Sequence, residues 1–264
     1  MTLRFRPMGI DIFCLERKFL AFNLIRRNLK IKYRQSIGGM LWTLLIPAAS
    51  ALVYFAVFKF VMRVQHEHYL TLLMAGLLPW TFFQTSVMNG LESIVGNRPL
   101  INKVPVPPQV FPLTETVTGF VNFALGLPIV AILALASGLS LSWSLLTLLP
   151  LLAMLLVQAY SLSLLTGLAF VYLRDLKHAL GIVLQTWFYA TPIIYTQDMM
   201  PEKMRALVAV NPVGMIFQGI HAAWGLADPL SGADWITMSG WTTALFLAAL
   251  YLLKVEGREL AEDL

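Results

Sequence analysis

Residues Asn97–Pro112, NRPLINKVPVPPQVFP, lie between two long apolar runs and decide how the chain is organised. The five prolines of this stretch prevent it from continuing either run as a helix, because proline lacks an N–H donor and restricts the residue before it. The flanking runs are long enough to cross a bilayer, so the stretch is predicted to be an exposed loop between two transmembrane helices. Leu100, Ile101 and Val104 are apolar at helical spacing. We therefore expect a short helix that lies against another protein and receives its motion.

The composition is that of a polytopic membrane protein. Hydrophobic residues make up 58% of the 264 and charged residues only 12%, against about 25% in a typical soluble domain. The mean hydropathy is +0.72, and the net charge of +5 fits basic loops at membrane edges better than binding of nucleic acid. The one cysteine, Cys14, excludes an internal disulfide and a Cys-based metal site. No cleavable signal peptide is expected, since the first residues are strongly charged.

The apolar runs predict an all-α membrane protein with six transmembrane helices, each judged against the roughly 20 apolar residues that a bilayer requires. The predicted spans are 40–62, 70–95, 111–136, 143–172, 178–195 and 236–253. Region 196–235 is too apolar to lie free in water, and Asn211-Pro212 interrupts it too early for a span. It is predicted to form a pair of re-entrant helices in the outer leaflet, shielded by protein. An amphipathic surface helix is the alternative.

Residues 1–36 are predicted to be a basic amphipathic helix on the cytoplasmic membrane surface, and residues 37–264 to be the transmembrane domain. Apolar residues recur on one face at three- and four-residue steps, and basic residues recur on another. This pattern is typical of helices that lie between lipid and anionic headgroups. The alternative is a helix packed on the protein's own loops. The residues expected to form the interface are Phe22, Arg26, Arg27, Lys30 and Arg34.

The distribution of Lys and Arg predicts the orientation. With both termini in the cytoplasm, only Lys59, Arg63, Lys203 and Arg205 of the 19 basic residues fall on the outer side. Basic residues collect on the cytoplasmic side of membrane proteins. A multi-pass protein with both termini in the cytoplasm is therefore expected.

The sequence shows no arrangement typical of an enzyme site. It contains no GxxxxGK(S/T) phosphate loop, so the chain does not bind ATP by that route. His66 and His68 flank Glu67 at a predicted outer turn, which is more typical of a solvated turn than of a metal site, and no metal site is predicted. Glu92 and Glu115 lie near the cytoplasmic ends of spans two and three, where carboxylates are candidates for function. The alternative is that both reach the interface or bond nearby polar groups.

Six local patterns occur in an order that resembles one family. They are Tyr33-Arg34-Gln35-Ser36, Gly76–Phe83, Asn97–Lys103, Tyr172–Asp175, Thr191–Tyr195 and Asn211-Pro212. From about residue 20 to the sixth span, the chain resembles the transmembrane subunit of ABC-2-type exporters of polysaccharide, the O-antigen, capsule and teichoic acid permeases.

The resemblance implies a homodimer with a channel at its interface. It also implies two copies of a separate ATPase subunit that binds ATP and Mg²⁺, so that this chain itself holds no cofactor. The cargo would be a lipid-linked polysaccharide crossing the bacterial inner membrane. The proline-bounded loop would be the coupling helix, and its contact residues would be Asn97, Arg98, Leu100, Ile101 and Lys103. Arg174 and Asp175, at the next cytoplasmic turn, would form a gate or secure the loop, and a structural ion pair is the alternative.

Aromatic side chains are plentiful in the spans, where most should be membrane-interface anchors or core residues. Because sugar rings stack on aromatic faces, the resemblance implies that some of them line a path for the glycan. The candidates are Trp42, Tyr54, Phe58, Trp80, Phe83, Trp187, Tyr189 and Tyr195.

Three other functions are alternatives to polysaccharide export. An ABC-2 exporter of a drug or lipid often has a large outer domain or a different leader, and neither is seen in this sequence. A carrier driven by an ion gradient would favour inverted repeats and charges near the membrane midplane. A lipid-linked sugar transferase would need clustered Asp, Glu or His residues at one interface.

Overall fold

The computed structural model describes residues 22–28, 30, 39–63, 67–101, 106–140, 142–202, 205, 208 and 210–256. Within these residues the protein is helical and has no β-strand, which confirms the predicted all-α class. The helices in chain order are α1 (22–28), α2 (Gly39–Ala56), α3 (Tyr69–Gly96), α4 (Arg98–Ile101), α5 (Val110–Ala124), α6 (Leu127–Ala136), α7 (Leu148–Tyr172), α8 (Leu176–Ala190), α9 (Gly214–Ala223) and α10 (Gly232–Glu256). Outside the described residues lie Arg34, His66, Lys103, Val104 and the side chain of Trp42, together with most of the predicted interface helix.

Among the described residues, four helical segments are long and apolar enough to cross a membrane. They are Tyr69–Gly96, Val110–Ala136, Trp143–Tyr172 and Gly232–Glu256, and they match the second, third, fourth and sixth predicted spans closely. The first and fifth predicted spans correspond to shorter helices. Leu45–Val61 is the apolar part of the first, and α8, which is the fifth, has 15 residues. Crossing by α2 and α8, and hence the count of six, stays a prediction.

The helices run alternately between two ends of a bundle. At one end, here called the Tyr69 end, the beginning of α3 meets the end of α6 and the segment after α8, and the turn before α7 meets α9. The contacts are Thr71 Oγ1 with Ser137 Oγ (3.3 Å), Tyr69 OH donating to Ile194 O (2.9 Å) and Ser144 Oγ donating to Ala223 O (2.9 Å).

At the opposite end, here called the Asn97 end, α3 meets the beginning of α8, α1 meets α5, and the ends of α7 and α10 meet. The contacts are the Lys177–Glu92 ion pair, Asn28 Nδ2 donating to Glu115 Oε1 (2.7 Å) and Tyr172 OH donating to Glu256 Oε2 (3.0 Å). From α3 onward, successive long segments therefore run in opposite directions, which is the alternation that a multi-pass chain needs.

Helix α3 is the centre of the bundle. Of its most apolar 18-residue stretch, 78% is buried inside the protein, against 17% for the corresponding stretch of α10. Helix α7 approaches α3 closely because Gly90 faces Ser163, and a Cβ at Gly90 would lie 2.6 Å from Ser163 Oγ. Ser163 Oγ also donates to Ser86 O across the same contact (2.9 Å). Small residues and cross-helix hydrogen bonds hold helices together in lipid, where the surroundings are as apolar as the side chains.

Helix α9 is buried in the Tyr69 end, with eight of its ten residues inside the protein. The segment 191–196 folds in beside α3, because Gly76 leaves room for its backbone; a Cβ at Gly76 would lie 2.9 Å from the carbonyl carbon of Ile193. Ten residues are too few to span a bilayer, and this burial excludes a surface helix at α9. The depth of α9 in the membrane, and therefore the re-entrant pair, stays a prediction.

A buried amide on α7 joins three elements of the bundle. Gln158 is fully buried, and its Nε2 donates to Pro212 O (3.0 Å) and to Thr242 Oγ1 (2.9 Å) on α10. A polar group is tolerated in an apolar interior when it is hydrogen-bonded. Gln158 thereby fixes the turn before α9 to both α7 and α10.

Candidate coupling site

Asn97 forms the corner between α3 and α4. Its side-chain Nδ2 donates to Ser93 O (2.8 Å), which satisfies a carbonyl in the last turn of α3. Its backbone carbonyl accepts hydrogen bonds from Leu100 N (2.9 Å) and Ile101 N (3.1 Å), which begin α4. The short helix predicted from the sequence is therefore present as α4, and Asn97 fixes its direction relative to α3.

An apolar cluster lies beneath α4. Its buried members are Leu24, Val106, Val110 and Phe111, and Leu100 and Ile101 pack against them half-buried. We refer to residues 22–28, Asn97–Ile101 and 106–111 together as the α1–α4 cap. Leu100 and Ile101 were expected to face another protein, but their apolar side chains contact the chain's own α1 and the beginning of α5. Leu24 brings α1 into the same cluster, and the interface helix over residues 1–36 stays a prediction.

Two polar contacts fasten α1 to the rest of the α1–α4 cap. Arg27 Nη2 donates to Asn97 Oδ1 (3.4 Å), and Asn28 Nδ2 donates to Glu115 Oε1 on α5 (2.7 Å). Glu115 thus bonds a nearby polar group, which was the structural alternative for this carboxylate. Asn97 ends α3, and Glu115 belongs to α5. A displacement of α4 would therefore also displace α1, α3 and α5.

The outward face of the α1–α4 cap is cationic. Arg26, Lys30 and Pro99 are exposed beside it, and Phe22 is 61% exposed at the beginning of α1. The described residues of the cap include Arg26, Arg27 and Arg98 and contain no carboxylate. Such a face fits a partner surface or a headgroup layer that carries negative charge.

The packing of Leu24 can be tested with Leu24→Asp. Leu24 is only 6% exposed, so a carboxylate there would be desolvated and α1 should separate from the cap. In a Cys14→Ser background with Val106→Cys as the reporter, maleimide labelling of that cysteine should accelerate about tenfold or more, since losing a buried Leu is worth about 2–5 kcal/mol. Phe22→Asp is the matched control, and its labelling rate should stay unchanged. Equal rates in the two variants would contradict the packing of α1.

The turn between α7 and α8 holds Arg174 and Asp175, and both are exposed. The guanidinium carbon of Arg174 lies 5.3 Å from the centroid of the Phe170 ring, a cation–π distance. The backbone carbonyl of Asp175 accepts hydrogen bonds from His178 N (3.1 Å) and Ala179 N (3.2 Å) and begins α8. Their roles in a gate or in securing the loop stay predictions.

The candidate aromatic residues fall into two groups by burial. Trp80 (3% exposed) and Phe83 (0%) belong to the core, where Trp80 meets Phe217 at 6.0 Å between ring centroids. Phe58 lies half-buried against Tyr69 at 5.8 Å. Within this chain, Trp80 and Phe83 are therefore enclosed by protein and do not line a surface.

Three tyrosines lie near the end of α8; Tyr189 is exposed, and the other two are half-buried. Tyr189 is 58% exposed, and its backbone carbonyl accepts a hydrogen bond from Tyr195 OH (2.7 Å). Tyr54, on α2, stacks on Phe188 with ring centroids 6.0 Å apart. The structure thus brings Tyr54, Tyr189 and Tyr195 to one region between α2 and α8.

Asn211 has a structural role that the sequence did not reveal. Its side chain contacts the end of α8 and the beginning of α9, including Trp187, whose indole Nε1 donates to Asn211 Oδ1 (2.8 Å). The only signal in the sequence was the Asn211-Pro212 dipeptide, which marks a turn but does not reveal its partners. Trp187 is consequently held in place by Asn211 and is half-buried.

The part of the chain that the structure describes contains no group of three or more His, Cys, Asp or Glu residues able to hold a metal ion. His68 lies 4.0 Å from Glu67, and His66 is outside the described residues. The geometry therefore offers no observation in favour of metal binding at this turn.

The described residues form a bundle of long apolar helices with a cationic cap at one end, which is the arrangement of a multi-pass membrane protein. The chain belongs to the ABC-2 type transporter family, whose model matches residues 20–223. It is accordingly a transmembrane subunit of an ABC transporter, and ATP hydrolysis belongs to a separate subunit.

The chain is similar to curated relatives over most of its length. It is 34% identical over 253 residues to the O-antigen export system permease protein RfbA of Myxococcus xanthus, which covers 93% of this chain and 95% of the relative. It is also 31% identical over 191 residues to an O-antigen export system permease protein RfbA of Klebsiella pneumoniae, covering 72% of this chain and 74% of the relative.

Proposed function

We propose that this chain is the channel-forming subunit of an ATP-driven exporter that moves a lipid-linked polysaccharide across the bacterial inner membrane. The observation that carries the proposal is the 34% identity to an O-antigen export permease over 93% of the chain. A likeness this long includes the α1–α4 cap, the central helix α3 and the Tyr69 end. The sequence motifs predicted the same family and the same cargo class.

The α1–α4 cap is the proposed contact with the ATPase subunit. Helix α4 lies at the corner formed by Asn97, and the contacts Arg27–Asn97 and Asn28–Glu115 connect it to α1 and α5. A push on α4 would therefore move several helices as one unit. In this proposal Lys103 extends the contact, each of two ATPase subunits binds one cap, and ATP and Mg²⁺ are held by those subunits.

The proposed membrane arrangement has six passes and both termini in the cytoplasm. The four long apolar segments supply four passes, and α2 with its extension Val57–Val61 and α8 supply the other two. Residues 1–36 would form the interface helix and residues 37–264 the transmembrane domain. The Asn97 end, with the cationic cap, is then cytoplasmic, since basic residues are retained on that side.

Fewer aromatic residues remain candidates for the glycan path than the sequence suggested. Tyr54, Tyr189 and Tyr195 each combine an aromatic ring with a hydroxyl group, and sugars bind to both. Phe58 and Trp187, which are half-buried like Tyr54, stay candidates. In a homodimer this region between α2 and α8 would face the second copy, and the channel would lie between the two. Trp42 stays a candidate on sequence grounds, whereas the burial of Trp80 and Phe83 argues against them.

A second candidate function is an ABC-2 exporter of another amphiphile, such as a drug or a lipid. The family match alone fits both functions equally well. The names of the relatives favour polysaccharide.

The decisive experiment is co-expression with the partner ATPase subunit, followed by reconstitution in lipid vesicles. We expect ATP hydrolysis that rises when a lipid-linked glycan is added, together with ATP-dependent movement of that glycan across the bilayer. A drug-like amphiphile is the matched control and should have neither effect. Movement of the glycan by the permease without any ATPase would refute the proposal.

A further inference from the structure

The apolar contacts of helix α8 with the bundle are concentrated in its second half, where Trp187 meets Phe83 with ring centroids 5.7 Å apart. Of its 15 residues, only Leu184 and Phe188 are buried, while Ile182 and Val183 are more than half exposed. A helix of this length measures about 22 Å. Its polar contacts with the rest of the bundle are concentrated at its two ends, so α8 resembles a rod held at both ends.

At the Asn97 end, the rod is held by an ion pair. Lys177 Nζ contacts Glu92 Oε1 on α3. Glu92 lies about 1.4 helical turns before Asn97, the residue that precedes α4. Both side chains are about half exposed. Exposed ion pairs contribute little to stability, so this pair serves chiefly to keep the beginning of α8 beside the root of α4.

At the Tyr69 end, the rod is held by the side chain of Asn211. Its Oδ1 accepts hydrogen bonds from Trp187 Nε1 (2.8 Å) and Val213 N (3.1 Å), and its Nδ2 donates to Ala190 O (3.2 Å) and Thr191 Oγ1 (2.9 Å). Both donor and both acceptor positions of the amide are used. One side chain thus joins the end of α8 to the residue that precedes α9.

The next residue, Pro212, is hydrogen-bonded to a different helix, α7. Its carbonyl accepts a hydrogen bond from Gln158 on α7, and the same amide reaches Thr242 on α10. The Asn211-Pro212 turn is therefore the point at which α7, α8, α9 and α10 are connected by side-chain hydrogen bonds. A shift of α8 at this turn is transmitted directly to α9.

We propose that Glu92, Lys177 and Asn211 are positioning residues for export, and that they make α8 the mechanical link by which movement of α4 reaches α9 at the opposite end of the bundle. This proposal rests on the proposed function, because it assumes that an ATPase moves α4. The hydrogen bonds of Asn211 would make α9 move together with α8. The Glu92–Lys177 pair would make α8 move together with α3 and α4.

The first test reverses the ion pair in the complete transporter, reconstituted with its ATPase in lipid vesicles. With Lys177→Glu, the glycan exported per ATP hydrolysed should fall about fivefold or more, the lower range of measured couplings between distant sites. ATPase co-purification should be retained. The double variant Glu92→Lys/Lys177→Glu restores the pair and should recover export. Lys254→Glu, a charge reversal on α10 at the same end, is the control and should leave the ratio unchanged.

The second test removes one hydrogen bond at Asn211 without changing volume. Thr191→Val deletes the acceptor of Asn211 Nδ2 and, with it, the bond that Thr191 Oγ1 donates to Trp187 O one turn earlier (2.8 Å). It should lower export per ATP in the same way, and a control must also lose a bond to the preceding turn. Thr186→Val is the matched control, since Thr186 lies on the exposed side of α8 and bonds only Ile182 O within its own helix. When Thr191→Val is added to Lys177→Glu, export per ATP should fall no further, because both changes interrupt the same link through α8.

Three results would overturn the inference: an unchanged ratio in Lys177→Glu, no recovery in the double reversal, or fully additive losses. These outcomes differ from failure of the proposed function. If the unaltered complex hydrolyses ATP but exports no glycan, both proposals fall. If it exports glycan and the variants match it, export stands and only the role of α8 is lost.

Discussion

Gly76→Ala should strongly destabilise the protein. A Cβ at this position would lie 2.9 Å from the carbonyl carbon of Ile193, closer still to its oxygen, and 3.1 Å from His221 Nε2. The obstacle is backbone, which cannot rotate away as a flexible side chain can. The segment 191–196 would therefore have to separate from α3, and buried side chains such as Ile193 would lose their packing.

The expected size of this effect is at least the upper part of the range of about 1–3 kcal/mol for overpacked cores. For a chain of this length, that corresponds to a fall of roughly 6–12 °C in the apparent melting temperature. The measurement is the fraction of monodisperse protein that survives heating in detergent. Gly181→Ala, on α8, is the matched control, because a Cβ there meets nothing within 4 Å.

Gly181→Ala should be neutral or slightly stabilising, since alanine favours a helix by up to about 1 kcal/mol over glycine. Comparable melting of the two variants would show that the segment 191–196 does not pack on α3 as described. A loss in Gly76→Ala alone would support the tight approach that holds the Tyr69 end together.

Reversing charge on the outward face of the α1–α4 cap should separate the permease from its ATPase. The variant is Arg26→Glu with Pro99→Glu, which introduces two carboxylates at exposed positions and leaves the buried cluster intact. If the cap is seated on the ATPase, two charges at the centre of the contact should remove at least about 2 kcal/mol of binding, as hot-spot residues do. Co-purified ATPase should then fall about tenfold or more, and export should stop.

Because Leu100 and Ile101 are the apolar contact residues expected from the sequence, the corresponding variant is Leu100→Glu with Ile101→Glu. Loss of ATPase co-purification is still expected from it, but both side chains also pack toward Leu24 and Phe111. Charging them would disturb the permease's own cap as well. The exposed-face variant separates the two effects, because the melting temperature of the permease should not change.

A matched control for this experiment is Lys59→Glu with Arg63→Glu, a double charge change near the Tyr69 end, where both residues are exposed. ATPase co-purification should be normal in this control. Normal co-purification in Arg26→Glu/Pro99→Glu as well would remove the α1–α4 cap from the proposed ATPase contact.

Much of the fold could be predicted from the sequence because lipid leaves few alternatives. A long apolar run must form a helix there, since every backbone N–H and C=O has to be bonded within the segment. Spans 70–95 and 143–172 therefore correspond closely to Tyr69–Gly96 and Trp143–Tyr172. The prolines after Asn97 likewise predicted that the long helix ends there, and α4 begins directly after that residue.

Hydropathy could not predict which side of each helix faces protein, because lipid and protein interior are equally apolar. Trp80 and Tyr189 looked alike in the sequence, yet the first is in the core and the second is exposed. Hydropathy likewise could not show that Leu100 packs against its own chain. Asn211 meets Trp187 across 24 positions, and Glu92 and Lys177 lie still further apart along the chain. Contacts between residues so distant in sequence arise only when the helices pack, so the tertiary structure alone decided them.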